Sequence, residues 1–166
     1  MNDVWTAIVD NFSDLPSAAV AAKAVVRLLL AAMLGAALGY EREHRHQRAG
    51  MRTHMLICLG SATFTLVPQM AHMSDDAVSR VIQGLVAGIG FLGAGPILKL
   101  EQRMEVKGLT TAASIWVAAA VGVTSGLGRG MMAILTTVLA LVILEFLPQF
   151  EHGKDDRSVQ PAPGGA

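Results

Sequence analysis

Long apolar runs separated by short polar connections dominate this chain. Five of them, 18–40, 55–73, 81–98, 109–127 and 130–147, come close to the length of about 20 residues that a helix needs to cross a hydrocarbon core about 30 Å thick. The pattern therefore predicts an all-α fold, an integral membrane bundle of five transmembrane helices. Two runs are imperfect spans. The first contains Lys23 and Arg27, and the second carries Pro68, Gln69 and His72 near its end. The expected division is an external N-terminal segment over 1–17, the five-helix transmembrane domain over 18–148, and a disordered cytoplasmic tail over 149–166, which is polar and rich in Pro and Gly. Asp3, Asp10 and Asp14 stand where a cleavable signal would be basic, so the N-terminus is expected to be retained.

Composition agrees with the pattern. Of 166 residues, 52% are hydrophobic and 16% charged, more apolar surface than so short a globular domain could hide. The formal net charge is +0, so no global basic field argues for nucleic acid, and the electrostatic message lies in where the charges sit. Nine of the 13 Lys and Arg residues fall in alternate connections or the tail: Arg42, Arg45, Arg48 and Arg52, then Lys99, Arg103 and Lys107, then Lys154 and Arg157. The positive-inside rule then predicts an external N-terminus and a cytoplasmic C-terminus. The one cysteine, Cys58, excludes an internal disulfide and reads as a small buried hydrophobe.

Lipid supplies no hydrophobic drive between helices, so small residues must let backbones approach. Gly35 and Gly39, Gly84 and Gly88, and Gly122 and Gly126 each form a GxxxG, and Ala118, Ala119 and Ala120 add small surface. The third run reads Gly84, Gly88, Gly90, Gly93, Gly95, Pro96. It suits either a tightly packed central helix or a broken helix whose freed backbone groups line a cavity. Gly88, Gly90 and Gly93 match GxGxxG, but no strand precedes them, so a dinucleotide site is not expected.

Arg27 is the most expensive residue in the pattern, because an arginine at membrane depth costs about 2.5 to 3.5 kcal/mol on insertion scales unless it snorkels or pairs. Depth favours Asp75 or Asp76 as its partner; Lys23, nearer the interface, is expected to snorkel. Arg80 follows Asp76 at i+4, the spacing of a surface ion pair. In the first basic connection, Glu41 and Arg52 read either as a pair fixing two helix ends or as part of a docking surface, while topology alone would explain the arginines without Glu41 or Glu43. His44, His46 and His54 lack a matching carboxylate or cysteine set and read as solvated rather than as metal ligands. Thr110, Thr111, Ser114, Thr124, Thr136 and Thr137 read as packing or hydrogen-bonding residues, and Trp116, well inside its span, as a packing or cavity residue.

Four segments together carry a resemblance: Gly39-Tyr40-Glu41-Arg42-Glu43, Ala49-Gly50-Met51-Arg52-Thr53-His54, Gly88-Ile89-Gly90-Phe91-Leu92-Gly93-Ala94-Gly95, and Gly108-Leu109-Thr110-Thr111-Ala112-Ala113 followed by Trp116. In this order they resemble the MgtC/SapB family of bacterial inner-membrane proteins, over about residues 22–148. The resemblance implies five spans, a cytoplasmic C-terminus, a multi-pass location in the inner membrane, and a role in magnesium-limited growth and, in pathogens, survival inside host cells. Longer members carry a cytoplasmic C-terminal domain, and this chain, which stops about 18 residues after its last span, is expected to be a short form.

The first function class is a regulatory protein that binds another membrane complex, with the ATP synthase as the partner that the resemblance suggests, or a second copy of the chain. The second is a transporter or channel for magnesium or another cation, supported by the glycine-rich third run and Arg27. An enzyme is not expected, since no nucleophile and base pair, nucleotide loop or metal signature is found. No cofactor is expected.

Overall fold

The computed structural model describes residues 4–6, 17–100 and 105–151. After a helical turn at 4–6, five helices follow: α1 Ala18–His44, α2 Met51–Met70, α3 Asp75–Ala94, α4 Leu109–Gly126 and α5 Gly130–Glu151. A two-stranded ribbon, β1 Leu98–Leu100 antiparallel to β2 Glu105–Lys107, joins α3 to α4. The fold is thus helical apart from this ribbon, which the sequence reading did not include. Among the described residues, α1, α3 and α4 are long and apolar enough to cross a membrane, and 130–145 forms a shorter apolar helix.

Local chemistry sets the boundaries. Ser17 caps α1 by accepting the Val20 N–H, and Ser74 caps α3 by accepting the Ala77 N–H. Asp75 and Asp76 occupy the first turn of α3, where the helix dipole favours negative charge. The third helix therefore starts six residues before the predicted run and ends at Ala94 instead of residue 98. Pro96 has no N–H to continue the ladder and its ring would clash with the Leu92 carbonyl four residues back, which accounts for the early stop although Gly95 keeps helical dihedrals. Through Gly84, Gly88 and Gly90, α3 stays an unbroken helix.

The central helix is α4, not the glycine-rich α3. Gly122 and Gly126 bring α4 onto α2 so closely that an added Cβ would fall 2.3 Å from the Cys58 carbonyl oxygen and 2.4 Å from that of Ala62, respectively. Gly35 and Gly39 do the same for α1 against the first turns of α2. Ala31, Leu38, Cys58, Ala62, Ala118, Val121 and Ala133 form the core between α1, α2, α4 and α5. By contrast, a Cβ added at Gly84, Gly88 or Gly90 would meet nothing within 4 Å, and Gly93 alone of that series is buried, against Ala112. The expectation of a tightly packed third helix is thereby corrected. Its GxxxG face meets no close neighbour among the described residues. Trp116, expected in packing, is 52% exposed on the outside of α4.

Candidate functional site

The polar side chains that α1, α2 and α4 hold together gather at the end of the bundle where α1 turns into α2. Glu41 lies between two arginines: both Nε and Nη2 of Arg42 donate to its carboxylate, and Arg45 Nε donates to Oε1 at 2.9 Å. Arg42 is 3% exposed, so this is a charge pair removed from water rather than a solvated surface contact. Arg45 reaches on to Glu145 of α5 at 3.0 Å. That hydrogen bond is the main reason its guanidinium pKa lies above the ordinary value.

Glu43 has a different task. Its Oε2 accepts the N–H of Met51 at 2.9 Å, capping α2 from the preceding helix because Gly50, at the N-cap, offers no side chain to do so. The absence of a Cβ at Gly50 makes room for that carboxylate, which would lie 2.8 Å from one. Glu43 and Gly50 thus act as one unit fixing the α1–α2 connection.

Beside it a polar column runs from the exposed Gln47 into the buried interior. Thr111 Oγ1 donates to Gln47 Oε1 at 3.0 Å, and Ser114 Oγ lies 2.8 Å from the Thr111 carbonyl and 3.0 Å from His54 Nε2. His54 is 0% exposed, with Nδ1 2.9 Å from the Gly50 carbonyl. A carbonyl can only accept, so Nδ1 carries a proton. With Nε2 then an acceptor, the single hydrogen of the Ser114 hydroxyl can satisfy either Nε2 or the Thr111 carbonyl at one time, so Ser114 links His54 of α2 to α4 by one hydrogen bond that can switch between two acceptors.

Sequence reasoning placed these residues unevenly. Glu41, Arg42, Glu43, Gly50 and Thr111 do come together. Arg52 and Thr53 lie exposed on the first turn of α2, and Thr110 is exposed on α4. Glu41 pairs with Arg42 and Arg45, and Arg52 makes no ion pair among the described residues, which corrects the expected Glu41–Arg52 pair. His54, Ser114 and Gln47 were not among the candidates. The available signal was that Thr111 and Ser114 are three apart, on one face of a helix. His44 is exposed, stacked on Tyr40 with ring centroids 6.2 Å apart. Among the described residues, no three of His, Cys, Asp and Glu converge to hold a metal ion.

At the other end, Arg27 also departs from expectation. Its Nη1 donates to Gln69 Oε1 at 3.2 Å and to the Gly126 carbonyl at 3.0 Å, not to Asp75 or Asp76. The carbonyls of Val123, Thr124 and Ser125 accept the N–H groups of Leu127, Arg129 and Gly128, which leaves the Gly126 carbonyl, at the negative end of the α4 dipole, to take the guanidinium. The two aspartates and Arg80 are exposed, and Arg80 makes no ion pair to Asp76 among the described residues.

Apolar helices packed through small residues, with a desolvated charge cluster at one end, define a helical membrane protein. Residues 28–152 match the model of the MgtC family, and the chain belongs to that family. It is 43% identical over 129 residues to the protein SrpB of Synechococcus elongatus, covering 71% of each chain. It is 42% identical over 136 residues to the putative magnesium transporter YhiD of Escherichia coli K12, and 42% identical over 117 residues to the protein MgtC of Salmonella typhimurium. These two alignments take in 77% and 70% of this chain but 62% and 49% of the relatives, so the chain spans about half to two thirds of their length. No solved structure matches significantly.

Proposed function

We propose that this chain is a five-span inner-membrane protein of magnesium-linked ion homeostasis that acts by docking a helix of a membrane partner. The observation that carries this reading is the open face of α3. Between α2 and α3 lies an apolar groove of about 610 Å³ with Gly60, Gly84 and Gly88 in its walls, and none of these glycines has a close neighbour among the described residues. Small-residue faces are what membrane helices use to approach one another. The family resemblance makes a subunit of the ATP synthase the partner to test first.

A cysteine at Gly88 should crosslink in cells to a discrete membrane protein, and adding Gly84→Leu to that variant should abolish the adduct while leaving folded protein at wild-type levels. Adducts at only twice the mass of the chain would assign the groove to a second copy and defeat the partner reading. A transport reading draws on the name of the Escherichia coli relative and on Arg27 within its helix. Magnesium flux into liposomes holding the purified protein alone would favour it; regulation by docking predicts none.

The five spans and their direction rest on the charge alternation and on α2, whose 20 residues measure about 30 Å as a helix. An impermeant thiol reagent applied to intact cells should label Ser74→Cys and spare Arg48→Cys. Cys58, buried in the core, serves as the silent background. The reverse labelling would invert the topology.

A further inference from the structure

We infer that the cavity between the first turns of α1 and the α4–α5 connection binds a phosphate group, carried by an anionic phospholipid. The cavity, of about 370 Å³, is lined by Lys23, Arg27, Ser125, Gly128 and Gly130, with Val26 and Leu30 beside them. Lys23 and Arg27 lie one helical turn apart, and neither has a carboxylate within ion-pair distance among the described residues. Among the described residues, the hydrogen bonds of Arg27 run through Nη1 alone. Its remaining donors face Gly128, where an added Cβ would lie 2.4 Å from Nη2. Gly128 has φ +76°, so the loop is shaped to let the guanidinium in.

Ser125 supplies an independent observation. It is 0% exposed and lies in the wall of this cavity, and its hydroxyl is the one buried side-chain polar atom without a partner among the described residues. Buried hydroxyls are normally paired, and one left over beside two uncompensated cations is suited to an anionic oxygen. The start of α5 at Gly130 adds the positive end of a helix dipole.

Two cations, a spare hydroxyl and a helix N-terminus match the charge and acceptor oxygens of a phosphate. The adjoining Val26 and Leu30 favour a phosphate that arrives with acyl chains. On the membrane-spanning reading, the first turns of α1 also lie at headgroup depth, where basic pockets between helices meet lipid phosphates. The inference rests on that reading only for the leaflet, because binding in detergent does not depend on which way the bundle faces.

The test is thermal stabilisation of delipidated protein in neutral detergent by three probes: short-chain phosphatidylglycerol, inorganic phosphate, and short-chain diacylglycerol, which lacks the phosphate. Phosphatidylglycerol should stabilise the wild type and diacylglycerol should not. Lys23→Gln, an exposed position that does not threaten the fold, should weaken phosphatidylglycerol binding about tenfold. Ser125→Ala should weaken it less, and Arg80→Gln, a cation elsewhere, not at all. Stabilisation by phosphatidylglycerol well beyond that by inorganic phosphate supports the lipid. Equal stabilisation by both supports the phosphate site but assigns it to a free anion. Stabilisation by neither, or binding that Lys23→Gln and Ser125→Ala leave unchanged, overturns the site and leaves these cations to a partner protein's carboxylates.

Discussion

Gly122→Ala should destabilise the bundle by about 3 kcal/mol or more, although it adds a single methyl group. That methyl would lie 2.3 Å from the Cys58 carbonyl oxygen, 2.7 Å from Ser61 Cβ and 2.9 Å from Cys58 Cα. Two of these are backbone atoms of α2, so no rotamer change relieves the clash and the helices must separate. Separation would also open the core around Cys58, Ala62, Ala118 and Val121 and cost the hydrogen bond from Cys58 Sγ to the Ala118 carbonyl, 3.0 Å long. Gly88→Ala is the matched control. It makes the same change in the same motif where nothing lies within 4 Å, and should be neutral or slightly stabilising, since Ala is the better helix former. Thermal unfolding of both variants in one detergent decides the matter. Equal stability would mean that the α2–α4 contact does not hold the bundle.

Arg42→Ala should cost about 3 to 5 kcal/mol, the range for breaking a buried ion pair by removing one partner. The loss arises because Glu41, only 10% exposed, keeps its charge but loses its better partner. Arg45 cannot fully take over, since it is shared with Glu145 and is 32% exposed. Arg45→Ala should for the same reason have a much smaller effect than Arg42→Ala. Combining Arg42→Met with Glu41→Leu should recover much of the loss, because no uncompensated charge remains. The double-mutant cycle on unfolding in detergent measures the coupling directly. A coupling near zero would show that the pair is solvated, and would remove Glu41 and Arg42 from the candidate site.

The column through Gln47, Thr111, Ser114 and His54 lies beside this charge cluster and shares the Gly50 carbonyl with the capped start of α2. Helix α4 touches both the α3 face and this turn: Gly93 packs on Ala112, one residue beyond Thr111.

The sequence by itself determined the membrane class, the positions of four of the five apolar helices to within a few residues, the family, and the crowding of Glu41, Arg42, Glu43 and Gly50 at one turn. These follow from local quantities: hydrophobic run length, the placement of charges, and short motifs. Partner choice was not local. Arg27 was assigned to an aspartate because sequence counts formal charges, whereas the fold brings the Gly126 carbonyl at the end of α4 and the Gln69 amide to it first. Glycine patterns likewise look alike along the chain, yet the pairs in α1 and α4 are filled by neighbouring backbones while the richer series in α3 stands largely open. Which glycine face is buried depends on which helices become neighbours, and only the tertiary structure decides that.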